Sequence, residues 1–237
     1  MRTIYRRWSL HPYQGENTPP KGSQEAIYGP MFFISRGRVN EFINPFQQPI
    51  NWRMKNPNEI DWEAELLNVE QTLKAITPEQ IQIAEYWGTG DITAKISNLI
   101  FSLAQRYRIG SPSTARVQGY FHAAMNDVFV ITWYLKYLWD VARPNQYDRN
   151  LPTVISTPRF PSYPSAHASL AGCAEVILSY FFPKESARIK RLMEESALSR
   201  LYAGVHFKVD NEEGLRIGRQ IGEMVVALMK VQNLKTY

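Results

Sequence analysis

From Asn58 onward apolar residues recur at helical spacing. Trp62, Leu66, Leu67, Val69, Leu73 and Ile76 suit one face of a first helix. Thr77-Pro78-Glu79-Gln80 then reads as an N-cap followed by proline at the first helical position. Gly88, Gly90 and Asp91 end that second helix, and a third runs from about Ile92 to Tyr107. After the break at Gly110-Ser111-Pro112, a long helix is expected from about Ser113 to Val141, stopping before Arg143-Pro144. Residues 145–164 hold Pro152, Pro158, Pro161 and Pro164 and read as a loop. Three more helices are predicted near 165–181, 184–203 and 210–232. Alternation of the kind a strand needs never persists beyond a few residues. The class is therefore all-α, a bundle of roughly six to eight helices.

Residues 1–55 differ. They are rich in Pro, Gly, Asn and Gln and show no sustained period, so they read as an irregular N-terminal arm preceding a helical catalytic domain at 56–237. The arm's aromatics (Trp8, Tyr13, Phe32, Phe33, Phe42, Phe46 and Trp52) argue that it packs on something. That could be its own core or a partner subunit, which leaves a homo-oligomer open.

Composition narrows the class. The 237 residues include 44% apolar and 21% charged ones, ordinary for a globular chain. The formal charge of +5 is mildly basic, without a run of like charges or a nucleic-acid-binding motif, so no nucleic-acid partner is expected. Clustered cations at a site are one way to account for the excess. Cys173 is the only cysteine, which excludes an intramolecular disulfide. The basic start lacks the apolar stretch of a secretory leader, and the apolar window Val128–Leu138 contains Lys136 and is too short for a membrane span. A cytoplasmic protein without a transmembrane segment is expected.

Three segments carry candidate chemistry. In KYLWDVARP, Lys136 and Arg143 stand seven residues apart and would share one face of the long helix. Two solvated surface cations would be the plainer reading, but the apolar flanks argue for burial, and buried cations need an anionic partner. Asp140 could neutralise one of them. In FPSYPSAH, Pro161 and Pro164 shape a turn and Ser165 opens an apolar helix, where free N–H groups and the helix dipole favour an anion. Ser165 as a plain N-cap with an incidental His167 fits equally well when taken alone. In SRLYAGVHFKVD, Arg200 offers a fork suited to phosphate-like oxygens, and Asp210 could hold the second ring nitrogen of His206. Of the remaining candidates, His11 reads as structural or solvated, His122 as a core histidine that could line the pocket, and Cys173 as a buried thiol. Trp133, Trp139, Tyr163 and Tyr202 read as core or pocket wall.

Lys-x6-Arg-Pro, Pro-Ser-x-His and Ser-Arg-x5-His-x3-Asp, in that order, resemble the three-part motif of the type 2 phosphatidic acid phosphatase (PAP2) and vanadium haloperoxidase superfamily. The resemblance covers about residues 122–226, and HAAMNDVFVITWYLKY, FPSYPSAHASLAG and DNEEGLRIGRQIG look closer to its soluble haloperoxidase branch. It implies that Lys136, Arg143 and Arg200 bind the oxygens of a tetrahedral oxyanion, with Ser165 and the backbone of Ala166 as further donors. By the same resemblance His167 is a general acid, and His206 attacks phosphorus or ligates the metal vanadium. Asp210 orients His206. Ala166 departs from the glycine usual in the family and adds a methyl group at the turn.

The resemblance implies two chemistries for one cage. With vanadate as cofactor, hydrogen peroxide oxidises a halide. With no cofactor, a phosphoester is hydrolysed through a phosphohistidine at His206. Haloperoxidase-like activity is the preferred reading, with a soluble phosphatase as the alternative. The familiar haloperoxidases are longer, which counts against the first. A binding protein with a degenerate cage is the non-enzyme reading, against which the intact set of five cations and imidazoles speaks.

Overall fold

The computed structural model describes residues 5–237, so residues 1–4 of the arm lie outside the described residues. Among the described residues the helices are α1 (Trp62–Lys74), α2 (Pro78–Gly88), α3 (Ile92–Arg106), α4 (Ser111–Trp139), α5 (Pro144–Tyr147), α6 (Ala166–Phe181), α7 (Ser186–Tyr202) and α8 (Lys208–Val231). The fold is all-α, with little sheet. Local signals start the helices: Asp61 accepts from the N–H of Ala64 at α1, and Asp91 from that of Thr93 at α3. At α2 Thr77 and Gln80 form a reciprocal capping box.

Several boundaries differ from the sequence reading. α4 starts two residues earlier, at Ser111, because Pro112 sits in the first turn, where its missing N–H costs nothing. It ends at Trp139, not Val141. Asp140 adopts a left-handed conformation (φ 55°), which a short polar side chain tolerates, and its N–H closes on Lys136 O. Arg143 therefore stands beyond the helix, as the residue preceding α5. The loop expected at 145–164 begins with the single turn of α5. Leu67 points outward, 52% exposed.

α6 is the central helix, and its buried face meets α4, α7 and α8. Its contact with α8 is unusually close. A Cβ on Gly218 would fall 2.0 Å from Ser169 O, and one on Gly214 would fall 2.6 Å from Ser165 O. Glycine here removes the side chain so that two backbones can touch. The approach lets Ser165 N donate to Asp210 O at 2.9 Å, which joins the start of α6 to the first turn of α8. A second core, of Trp62, Tyr163, Leu201, Phe207 and Val209, lies under α1 and the 158–165 loop.

Residues 5–61 contain short 3-10 turns and a ribbon of β1 (Ser35–Arg36) and β2 (Phe42–Ile43), paired antiparallel. Trp8, Tyr13 and Phe42 are buried and pack the arm on the core, whereas Phe32 and Phe46 are exposed. Two carboxylates pin this segment. Asp127 of α4, fully buried, accepts from the N–H groups of Phe32, Phe33 and Ile34 at 2.8, 2.8 and 3.0 Å. Asp140 accepts from Ser9 and pairs with Arg7 at 3.3 Å. Asp140 thus neutralises neither Lys136 nor Arg143 as the sequence suggested. It is spent on a contact some 130 residues away along the chain. Among the described residues no helix is long and apolar enough to cross a membrane.

Candidate oxyanion site

Lys136, Arg143, Ser165, Arg200, His206 and Asp210 are all buried, and they come from three separate segments of the chain. Lys136 projects from the last turn of α4. Its ammonium donates to the carbonyls of Pro161 and Ser162 at 2.7 and 2.8 Å. A lysine carries three N–H donors, so one is left over. Arg143 is fixed by its own backbone, whose N–H donates to Gln146 Oε1 at 2.8 Å. Its Nε donates to Phe160 O at 3.0 Å and its Nη1 to Val205 O at 2.8 Å, while Nη2 has no partner. Three successive carbonyls, those of Phe160, Pro161 and Ser162, therefore hold both cations. The ring of Phe160 lies beneath them, 5.2 Å from Lys136 Nζ and 5.0 Å from Arg143 Cζ.

His206 sits between α7 and α8, just after Gly204, whose φ of +71° makes the turn. Its tautomer follows from its neighbours. Arg143 Nη1 can only donate, and it lies 2.8 Å from His206 Nε2. Nε2 is therefore an acceptor, and the proton is on Nδ1, which donates to Asp210 Oδ2 at 2.8 Å. That same carboxylate oxygen accepts from Ser162 Oγ at 2.5 Å and Phe207 N at 3.0 Å. Burial, then Arg143, Lys136 and Arg200, push His206 well below the ordinary imidazole value, so it is neutral. Burial raises Asp210 to about 6, against the pull of Ser162, Lys136 and Arg143.

Ser165 caps α6, its Oγ accepting from Ala168 N at 3.4 Å, which leaves its own hydroxyl proton free. Ala166 is not among the residues at positive φ, so its methyl group strains nothing at this turn. His167, one residue on, is half-buried, with a ring bond to the backbone of Trp87 and a buried Nε2 that has no partner. Burial first, then Arg200, bring it down to about 3. Arg200, on α7, is brought down to about 9 by burial and by Arg143, and its Nε and Nη1 lack partners.

Buried N–H donors are nearly always satisfied. Here Arg143 Nη2, Arg200 Nε and Arg200 Nη1 are not, and both guanidiniums act electrostatically on His206, whose Nε2 accepts from Arg143 Nη1. By formal charge Lys136, Arg143 and Arg200 are opposed within the cluster by Asp210 alone, a surplus of two, and burial with Arg143 beside it pushes Lys136 well below the ordinary lysine value. Such an arrangement fits a tetrahedral dianion: planar forks and an ammonium for its oxygens, and a neutral nitrogen for its central atom.

Sequence reasoning missed Ser162, Phe160 and Trp87. Ser162 lay within FPSYPSAH and could have been singled out as a second hydroxyl; the others act through backbone carbonyls that no side-chain type announces. His122 does not join the site. It is exposed and bonded to Ser97 Oγ at 2.8 Å. Cys173 is buried on α6. His11 meets Gln146 through its carbonyl.

Residues 119–233 match the model of the PAP2 superfamily. No curated protein matches the chain. Among solved structures, a bacterial vanadium-dependent iodoperoxidase is similar (TM-score 0.63, 24% identity, covering 77% of this chain and 52% of that one). So is the holo form of a bacterial vanadium-dependent chloroperoxidase (TM-score 0.66, 13% identity, 98% and 64%). A transmembrane PAP2-type phosphatidylglycerolphosphate phosphatase from Bacillus subtilis shares the fold at TM-score 0.51 and 18% identity, covering 74% of this chain and 88% of that one. The chain thus spans between half and two-thirds of the length of these two haloperoxidases. Together these matches show a shared helical fold, with the PAP2 superfamily model matching residues 119–233.

Proposed function

We propose that this chain is a member of the PAP2/haloperoxidase-like superfamily, that it is an enzyme working on or with a tetrahedral oxyanion, and that it is haloperoxidase-like, with vanadate as its cofactor. The observation that carries the reading is the set of unpartnered buried donors, Arg143 Nη2, Arg200 Nε and Arg200 Nη1, beside a neutral His206 Nε2. Vanadate fits them as a dianion. Lys136, Arg143, Arg200 and Ser165, with the N–H of Ala166 at the first turn of α6, would hold its oxygens, and His206 Nε2 would hold the metal. When bound, vanadate would supply a Lewis-acidic centre that activates hydrogen peroxide towards a halide. The rest belongs to the protein. The Asp210 carboxylate keeps the proton on His206 Nδ1. The cations stabilise negative charge in a site from which water is largely excluded. His167 Nε2, an acceptor in a cationic surround, gains a proton once a dianion enters and can then deliver it to a leaving or apical oxygen.

A soluble phosphatase is the second reading, favoured by one observation: the aligned region accounts for 88% of the phosphatase neighbour and only 52 to 64% of the haloperoxidases. In that case His206 Nε2 attacks the phosphorus of a bound monoester, His167 protonates the departing alcohol, and water then breaks the phosphorus–nitrogen bond.

The deciding experiment assays one preparation for p-nitrophenyl phosphate hydrolysis and for peroxide-dependent bromination of a phenol dye, with and without vanadate. Bromination that appears only with vanadate supports the first reading. Hydrolysis that vanadate inhibits supports the second. His206→Ala abolishes whichever is found, and activity surviving in that variant would show that His206 has been given the wrong role.

A further inference from the structure

α2 lies outside the residues that match the superfamily, and its C-terminal turn touches two members of the site. Trp87 meets the His167 ring through its backbone. His167 Nε2 has no partner, so an Nδ1–H facing the Trp87 backbone would leave the lone pair on Nε2. At the next residue, a Cβ on Gly88 would fall 3.1 Å from Arg200 Nη1 and 2.9 Å from Ile155 Cδ1. A side chain at position 88 would meet Ile155 first and would then press the guanidinium aside by a few tenths of an ångström.

We propose that this turn is a positioning element of the oxyanion site: the Trp87 carbonyl aims His167, and the bare backbone of Gly88 leaves room for the working pose of Arg200. Two side chains that the reaction does not otherwise use hold the turn. Trp87 Nε1 donates to Glu195 Oε1 at 2.9 Å, and Glu195 belongs to α7, the helix that also carries Arg200. Lys95 of α3 donates to the carbonyls of Tyr86 and Thr89, where the last carbonyls of α2 have no helical N–H to meet. A hydrogen bond to the distal nitrogen of a working histidine fixes both its tautomer and its aim, and losing such a support costs about tenfold or more. Trp87, Glu195 and Lys95 act through His167 and Arg200 and touch no reacting atom.

The inference rests on the oxyanion reading, and its test separates the two. In the full-length protein Glu195→Ala is expected to lower kcat about tenfold while vanadate or phosphate affinity stays within about twofold, because His167 is misaimed and the cations are not. Glu195→Gln keeps an acceptor for the indole and restores kcat. Gly88→Ala does the reverse: it weakens oxyanion binding by about tenfold or more as Arg200 is displaced. Nitrogen-15 imidazole spectra of the ligand-free protein show His167 as one Nδ1–H tautomer, and as a mixture in Glu195→Ala. Glu195→Gln behaving like Glu195→Ala, unchanged affinity in Gly88→Ala, or a single unaltered tautomer in Glu195→Ala would each overturn the proposal. A wild-type protein that binds no oxyanion defeats the functional reading instead, and the imidazole spectra still decide this one.

Discussion

Asp210 is the residue at which charge, tautomer and stability can be separated. Its Oδ2 accepts from His206 Nδ1, Ser162 Oγ and Phe207 N at 2.8, 2.5 and 3.0 Å, while Oδ1 has no partner. In Asp210→Asn one of the two positions must become an NH2 group. Phe207 N–H can only donate, so the amide oxygen is driven to the Oδ2 position and the NH2 falls where Oδ1 stood. The tautomer of His206 survives. What is lost is the charge on the acceptor, a difference of about 1 kcal/mol for such a bond, or roughly a factor of five to ten in turnover. Asp210→Ala leaves three buried donors without an acceptor, each costing about 1–3 kcal/mol, so stability falls by at least about 3 kcal/mol. For a chain of this size that lowers Tm by roughly 6 °C or more. Vanadate-dependent bromination, or phosphoester hydrolysis, read beside thermal unfolding, measures both effects. If Asp210→Asn were as inactive as Asp210→Ala, or if Asp210→Ala kept the wild-type Tm, the carboxylate would not be the hub described here.

Two further outcomes test the frame around it. Gly218→Ala places a methyl group against Ser169 O, where the helices already touch, so α6 and α8 must separate; a Tm drop with weakened phosphate or vanadate binding is expected, and unchanged values would refute the close approach. The second concerns pH: His206 is held well below 6.5 and His167 is brought to about 3, so the unfolded chain takes up protons below pH 6.5 that the folded chain refuses. Stability from these imidazoles is present above 6.5 and falls as pH drops, by up to about 1.4 kcal/mol per pH unit for each. Asp210, raised to about 6 from 3.8, acts in the opposite sense: between those values the folded chain holds the extra proton, which offsets one imidazole. Urea unfolding across this range should slope upward with pH, and less so with saturating phosphate, because a bound dianion favours protonated His167. A flat profile without phosphate would mean the imidazoles are not held neutral.

Much of this was legible in the chain. Lys136, Arg143, Arg200, His206 and Asp210 stand out by residue type and spacing, and the Thr77 box announces α2. What escaped has physical reasons. Asp140 looks, locally, like the counter-ion of Lys136 or Arg143, and only the fold shows Ser9 and Arg7 claiming it. The same residue in a left-handed conformation ends α4, so Arg143 arrives at the site by a bend and not along a helix face. The carbonyls of Phe160, Pro161, Ser162 and Trp87 are invisible in sequence because every residue has one. Gly214, Gly218 and Gly222, spaced by four, did carry a signal for a close helix contact.

The two halves of the site depend on that contact. His167 and Ser165 belong to the start of α6, and His206 and Asp210 to the start of α8, so neither helix alone could present both imidazoles to one anion. Backbone touching backbone at Gly214 and Gly218 fixes the two starts at a set separation, and Ser165 N bonded to Asp210 O closes the junction. Close packing also excludes water, which is why the imidazoles are neutral and the cations carry raised interaction strength. Neutrality in turn leaves His206 Nε2 a lone pair, which accepts from Arg143 Nη1 at 2.8 Å until an anion takes over that guanidinium; a proton would be repelled there by three cations, and an electron-poor phosphorus or vanadium, arriving with its own negative oxygens, would not. The same dry junction that disfavours an imidazolium therefore favours a nucleophile or ligand at that atom, so long as an oxyanion brings the compensating charge.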